Sequence, residues 1–222
     1  MTAMQVAQSP RQILAAAAPI GVAVFVFGVS FGVLAIAAHL PGWSVVLMSV
    51  LVFAGSAQFA TVGILTTGGG VIAAVLAGAL LNLRYIATGI ASARSLPGNR
   101  WLRALFAQLV VDESYVLAVS AGEAGRPDRR TLLVVGVFLY SAWVVGTLLG
   151  VLVGPIAGDP KRLGLDAAFP ALFIALLWPL LKGRHAVRCA IGGALAALVL
   201  APLTPPGVPL AGAALVGLWL AH

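Results

Sequence analysis

The sequence predicts an all-α integral membrane protein with about seven or eight transmembrane helices. Of its 222 residues, 61% are apolar and only 9% are charged. The apolar residues form long continuous runs, unlike the short alternating segments of transmembrane β-barrels. Because hydrocarbon offers the backbone no hydrogen-bond partner, such runs cross a bilayer as α-helices.

Eight apolar runs follow one another along the chain. They cover residues 13–38, 43–66, 70–92, 101–121, 131–154, 169–181, 189–203 and 208–221. Most approach the roughly 17–25 residues that one span requires, whereas runs 169–181 and 189–203 are shorter. We therefore interpret residues 1–12 as a short cytoplasmic tail and residues 13–222 as a single polytopic transmembrane domain.

Two of these runs are candidates for discontinuous helices. Residues 169–181 form a short run with Pro170 and Pro179, and the second run contains Gly55 at its centre. Half-helices or re-entrant loops in both halves of a chain are typical of membrane proteins with internal structural repeats. The sequence therefore predicts some broken helices and an internal repeat.

Glycine spacing indicates possible faces for close helix packing. Gly28 and Gly32 form one pair, and Gly146, Gly150 and Gly154 lie on one face of the fifth run. Small residues four apart let two helix backbones approach each other. Since the chain has 26 glycines, the alternative is that this spacing is incidental.

Charge and histidine positions exclude several functional classes. The net charge is +7, but most of the basic residues lie outside the runs, where they contact lipid headgroups, so we expect no nucleic-acid partner. Cys189 is the single cysteine, which excludes an intrachain disulfide. His39, His185 and His222 lie near run ends. We expect neither an enzyme nor a metal or cofactor site, because no buried nucleophile–histidine or metal-binding pattern is present.

The main functional signal is a set of polar residues near the middle of three successive runs. They are Ser56 and Gln58, then Asn82 and Arg84, then Gln108, Asp112, Glu113 and Tyr115. A charge at mid-membrane depth costs about 2.5–3.5 kcal/mol or more unless it faces a partner or water. We therefore expect Arg84 and the two carboxylates to face inward, toward one another.

Each of these residues also has a purely structural interpretation. Ser56 is often a packing residue, Gln58 and Asn82 can join helices, and Arg84 with Asp112 can form a structural ion pair. Their shared depth favours a polar cavity. On one continuous helix Gln108, Asp112 and Tyr115 share a face while Glu113 points about 100° away, so Asp112 is the predicted cavity residue.

Four segments resemble the motifs of a known family. FAGSAQFATVGIL at 53–65, LNLRY at 81–85, VDESY at 111–115 and LGLDAAFPALFIALL at 163–177 are similar to the AzlC family, the large subunits of branched-chain amino-acid exporters. The resemblance extends from about residue 19 to the end of the sequence. The sequence differs from the family pattern at Tyr85, where family members often carry a histidine.

The resemblance implies a multi-pass secondary transporter in the inner, cytoplasmic membrane. It would export valine, leucine, isoleucine and, as in some family members, methionine, together with a small AzlD-like membrane subunit. From their mid-membrane depth and their chemistry, we assign substrate binding to Ser56, Gln58, Asn82, Arg84, Asp112 and Tyr115. We assign proton coupling to Asp112 and Glu113. The alternatives are a transporter for another small organic or amino acid, a channel, and an assembly factor.

Overall fold

The computed structural model describes residues 9–123, 126–156, 181–204 and 208–221, together with Gly164, Ile174, Leu177 and Trp178. Most of these residues are in α-helices and none is in a β-strand, which confirms the all-α class. The helices are α1 (Pro10–Ala37), α2 (Gly42–Val52), α3 (Gly55–Thr66), α4 (Val71–Asn82), α5 (Arg84–Ser92), α6 (Arg100–Ala107), α7 (Asp112–Ala121), α8 (Arg129–Val153), α9 (Arg184–Leu200) and α10 (Val208–Ala221). The predicted half-helix at 169–181 falls largely outside the described residues.

Helices α1 and α8 form the centre of the molecule. Each is long and apolar enough to cross a bilayer by itself, and the number of candidate spans among the described residues rises to four if the bent pairs α4–α5 and α6–α7 each count as one. Helix α1 begins at Pro10, slightly before the first apolar run. Ser9 caps it, because the Ser9 hydroxyl accepts the Gln12 backbone N–H at 3.4 Å, and the Ser9 N–H donates in return to the Gln12 side chain at 2.8 Å.

Glycines on α1 and α8 bring the two backbones into direct contact. A Cβ placed on Gly28 would lie 2.7 Å from the Trp143 carbonyl oxygen, and one on Gly150 would lie 2.9 Å from the Gly32 Cα. The same register continues from Gly21 beside Phe138 to Gly154 beside Ile36, so α1 and α8 run parallel. The packing interpretation of the glycine spacing is therefore confirmed, with both partners in this chain.

Replacing Gly150 with leucine is expected to reduce the yield of folded protein. The new side chain would clash with the Val29 carbonyl, and overpacking of this kind costs about 1–3 kcal/mol or more. Fluorescence-detected size-exclusion chromatography in detergent measures the yield. Gly217→Leu is the matched control, because nothing lies within 4 Å of a Cβ at Gly217. Equal yields for the two variants would contradict the packing role.

The second apolar run folds back on itself. Helix α2 runs antiparallel to α8: a Cβ on Gly42 would contact Val151, and the Ser49 hydroxyl lies 2.9 Å from that of Thr147. The chain then breaks at Phe53, which has a left-handed backbone with φ of 41°. Beyond the break, Gly55 lies against Trp143, and Phe59 reaches Phe31 further along α1. The predicted discontinuity near Gly55 is thus confirmed.

The third run, helices α4 and α5, continues from one end of the bundle to the other. Gly78 of α4 packs on α3, and a bend of 42° at Leu83 leads into α5. At the far end Ser95 donates to the Pro127 carbonyl at 2.8 Å, just before α8 begins. This pair is therefore a broken span, although no discontinuity was predicted here from the sequence.

The fourth run forms a second hairpin from the opposite end. Helices α6 and α7 meet at 109°. Gln108 reaches the middle of the bundle, where its Nε2 donates to the Val50 carbonyl at 2.6 Å. Helix α7 then returns toward the start of α8, where the Asp128 N–H donates to the Ala118 carbonyl at 2.8 Å. Two hairpins entering from opposite ends are the arrangement that inverted-topology repeats produce.

The break between α6 and α7 makes the predicted continuous helix over residues 101–121 wrong. Ser114 stabilises the break, because its hydroxyl accepts the Val111 N–H at 3.0 Å and donates to the Leu109 carbonyl at 2.8 Å. A Cβ on Gly136 would lie 2.6 Å from that same carbonyl, so the chain passes close to α8 here. The face shared by Gln108, Asp112 and Tyr115 therefore does not exist.

Candidate functional site

The two hairpins meet the broken span α4–α5 beside the middle of α8. Arg84, the first residue of α5, links all three elements. Its Nη1 lies 2.9 Å from Asp112 Oδ2 on α7, and its Nη2 donates to the Ser56 hydroxyl on α3 at 3.0 Å. Nη2 also donates to the Tyr85 hydroxyl at 3.1 Å. The expected approach of Arg84 and Asp112 is present in the structure.

A cavity of about 130 Å³ opens beside this ion pair. It exceeds the roughly 10–15 Å³ that one water molecule requires, so it has room for a small solute. The polar lining consists of Ser56, Arg84, Tyr85 and Glu113, and the rest comes from Ile20, Ala23, Val24, Phe27, Phe53, Gly55, Val111, Leu139 and Trp143. Polar groups thus occupy one side of a mainly apolar cavity.

The helix ends at this cavity provide favourable electrostatics for both signs of charge. Helix α3 begins at Gly55 and Ser56, so its first N–H groups point toward the site and favour an anion. Helix α7 begins with Asp112 and Glu113, whose negative charges are stabilised by its amino-terminal dipole. The irregular backbone at these breaks is tolerated because it is buried in protein or lines a cavity.

Gln58 lies behind the cavity wall instead of lining it. Its side chain is only 1% exposed. The Oε1 atom accepts from Trp143 Nε1 at 3.1 Å and from the Ala54 N–H at 3.2 Å, while Nε2 donates to the Ser49 hydroxyl at 2.9 Å. Ser49 in turn contacts Thr147. This buried network joins α2, α3 and α8 at the first hairpin.

Of the other predicted site residues, only Glu113 lines the cavity. Asn82 lies at the end of α4, and its buried Oδ1 has no hydrogen-bond partner among the described residues. Tyr115 packs against a separate apolar cluster that includes Leu96 and Leu132. The predicted set is therefore distributed between the cavity and its ion pair, the buried network, the α4–α5 break and, for Tyr115, the separate apolar cluster.

Several lining residues were not predicted. Trp143 carried the best available signal, because an indole in the middle of an apolar run must find a partner for its N–H. Tyr85 follows Arg84 directly in the sequence, and its hydroxyl accepts a hydrogen bond from the Arg84 guanidinium. The α1 residues Ile20, Ala23, Val24 and Phe27 had no distinguishing signal, since apolar residues at that depth are equally typical of lipid contact.

Long apolar helices, two opposed hairpins and a part-polar cavity where the hairpins meet are typical of membrane proteins of the transporter type. The family model "AzlC protein" matches residues 19–156. The chain belongs to the AzlC family.

The similar proteins are also membrane proteins. An "Uncharacterized membrane protein" from Archaeoglobus fulgidus is 35% identical over 201 residues, covering 90% of this chain and 88% of the relative. An "Uncharacterized membrane protein" from Helicobacter pylori strain 26695 is 23% identical over 150 residues, covering 67% of this chain and 65% of the relative. No solved structure matches the chain.

Proposed function

We propose that the protein is a proton-coupled secondary transporter that exports branched-chain amino acids across the cytoplasmic membrane. Its substrates are valine, leucine and isoleucine, with methionine as a further candidate, and it works with a small AzlD-like membrane subunit. The observation that carries this proposal is the cavity, whose lining combines the Arg84 guanidinium, the Glu113 carboxyl group and an apolar wall in one small volume.

A hydrophobic amino acid needs those three features. Its carboxylate requires donors, which Arg84, the Ser56 hydroxyl and the first N–H groups of α3 supply. Its ammonium group requires an acceptor, for which the carboxylates at the start of α7 are available. Its side chain requires an apolar wall, formed by Phe27 and Leu139 among others. The lining supports an aliphatic zwitterion over a strongly charged solute.

Counterflow in proteoliposomes tests this function. Vesicles containing the chain and its partner subunit, preloaded with unlabelled leucine, are expected to accumulate labelled leucine, valine and methionine transiently. Empty vesicles and vesicles preloaded with aspartate are the controls. A channel would equilibrate the label without stimulation by internal leucine, and an assembly factor would give no uptake; either result would contradict a carrier. If another preloaded amino acid stimulated uptake selectively, the result would support a carrier but contradict leucine, valine and methionine as its substrates.

A further inference from the structure

The two carboxylates at the start of α7 have different surroundings. Asp112 is paired with Arg84 at 2.9 Å, and it does not line the cavity. Glu113 lines the cavity, and among the described residues no cationic side chain lies within ion-pair distance of it. Asp112 and Glu113 are adjacent in the sequence, but Asp112 lies in the ion pair and Glu113 lies on the cavity wall.

The charges around the cavity do not balance. Arg84 contributes one positive charge, and Asp112 and Glu113 contribute one negative charge each when ionised. The remaining described lining residues are uncharged in their ordinary states: Tyr85 on α5 is the one other titratable group, and α1, α3 and α8 contribute none. An unbalanced carboxylate at mid-membrane depth is unfavourable. Glu113 therefore favours one positive charge directly beside it. This charge is either a proton or the ammonium group of an amino acid whose carboxylate lies against Arg84 and the amino terminus of α3.

We propose, resting on the function above, that Glu113 is the carboxylate that exchanges a proton for the substrate's ammonium group. In the empty site the Glu113 carboxyl carries the proton. When the amino acid binds, that proton passes to water in the cavity and the Glu113 carboxylate pairs with the ammonium. Each substrate molecule thus replaces one proton, which is the stoichiometry of an antiporter. Asp112 remains paired with Arg84 throughout and acts as a positioning residue for the guanidinium.

This assignment differs from the one based on helix phase. A continuous helix would direct Asp112 into the cavity and Glu113 away from it. The break at residues 108–111 resets that phase, because α7 begins anew at Asp112 with its own direction. Asp112 then meets Arg84, and Glu113 takes the position on the cavity wall.

Calorimetric binding to the purified complex with its partner subunit tests the exchange. Titrations with leucine in buffers of different ionisation enthalpy count the protons released per leucine bound. In the wild type this number is expected to approach one below the pH at which Glu113 ionises in the empty site, and to decline above it. Glu113→Gln should release no proton and should bind leucine at least about 30-fold more weakly. Glu113→Asp should restore proton release in part.

A second ligand separates loss of the carboxylate from loss of folding. The probe is 4-methylpentanoate, which has the carboxylate and side chain of leucine but no ammonium group. Glu113→Gln is expected to bind it at least as well as the wild type does, because a neutral residue suits a ligand without a cation. Glu123→Gln, on an exposed loop, is the matched control and should behave as wild type with both ligands.

The outcomes distinguish the two proposals. If the wild type neither binds leucine nor shows counterflow, the proposed function and the exchange are both rejected. If the wild type transports leucine while Glu113→Gln still releases a proton on binding it, the exchange alone is rejected. Equal weakening of leucine and 4-methylpentanoate in Glu113→Gln would also reject it, since the ammonium contact would then contribute nothing.

Discussion

Replacing Arg84 with glutamine is expected to abolish transport and to lower the yield of folded protein more than any other single change at the site. Arg84 is the cation paired with Asp112, and it also joins α3, α5 and α7. Without it, two acidic groups, Asp112 and Glu113, lie at mid-depth with no cation beside them. Breaking a fully buried pair costs about 3–5 kcal/mol, and the side chains here retain 35% and 32% exposure, so a smaller loss is expected.

Asp112→Asn should be milder for folding and severe for transport. The variant leaves Arg84 with Glu113 as a balancing charge, so the folded protein is expected to persist. The guanidinium loses the partner that holds it in place, however, and proton-coupled leucine efflux should fail. Thermal unfolding in detergent and efflux against an imposed pH gradient, at matched membrane abundance, measure the two effects separately.

The double variant Arg84→Gln, Asp112→Asn shows whether the pair acts as a unit. One carboxylate without a cation is less costly than two, so its folded yield is expected to exceed that of Arg84→Gln while transport stays absent. Arg103→Gln, a change on the exposed face of α6, is the control. If the effects of the two single changes simply add, the residues are energetically independent. Recovery of transport in the double variant would reduce the pair to a structural role.

Composition and residue depth were sufficient to predict the class of fold and the location of the cluster. Charged residues are so costly in hydrocarbon that Arg84 and Asp112 had to lie inside and near each other, whatever the details of packing. The glycines of α1 and α8 were equally informative, because a helix without side chains on one face needs a close neighbour. Both inferences depend only on the type of a residue and on its depth in the membrane.

Directions of side chains were less predictable. The α6–α7 break depends on the Ser114 hydroxyl and on the close passage of Leu109 by Gly136, and neither contact is visible in a hydrophobic pattern. Once the helix phase is reset, the predicted positions of Asp112, Glu113 and Tyr115 change together. The contribution of α1 to the cavity also arises only from its parallel packing on α8.

The predicted and observed positions of Gln58 imply different roles for this residue. From the sequence it was expected to contact substrate, whereas its amide lies in the buried network with Ser49, Ala54 and Trp143. Trp143 both bonds to Gln58 and lines the cavity. The structure therefore indicates that Gln58 stabilises the first hairpin and holds the start of α3 beside Arg84.

Gln58→Leu is accordingly expected to lower the stability of the protein before it affects any direct contact with substrate. The Ala54 N–H and the Ser49 hydroxyl would each lose a partner, and a buried unsatisfied group costs about 1–3 kcal/mol. For a chain of this size, a loss of that order lowers the thermal midpoint by about 2–12 °C. Differential scanning fluorimetry in detergent measures the shift. Ser141→Ala removes a hydroxyl that is exposed and bonded only within its own helix, and it should change the midpoint little. If Gln58→Leu were as stable as the wild type but bound leucine far more weakly, the amide would have to contact the substrate, and the buried network would not be its main role.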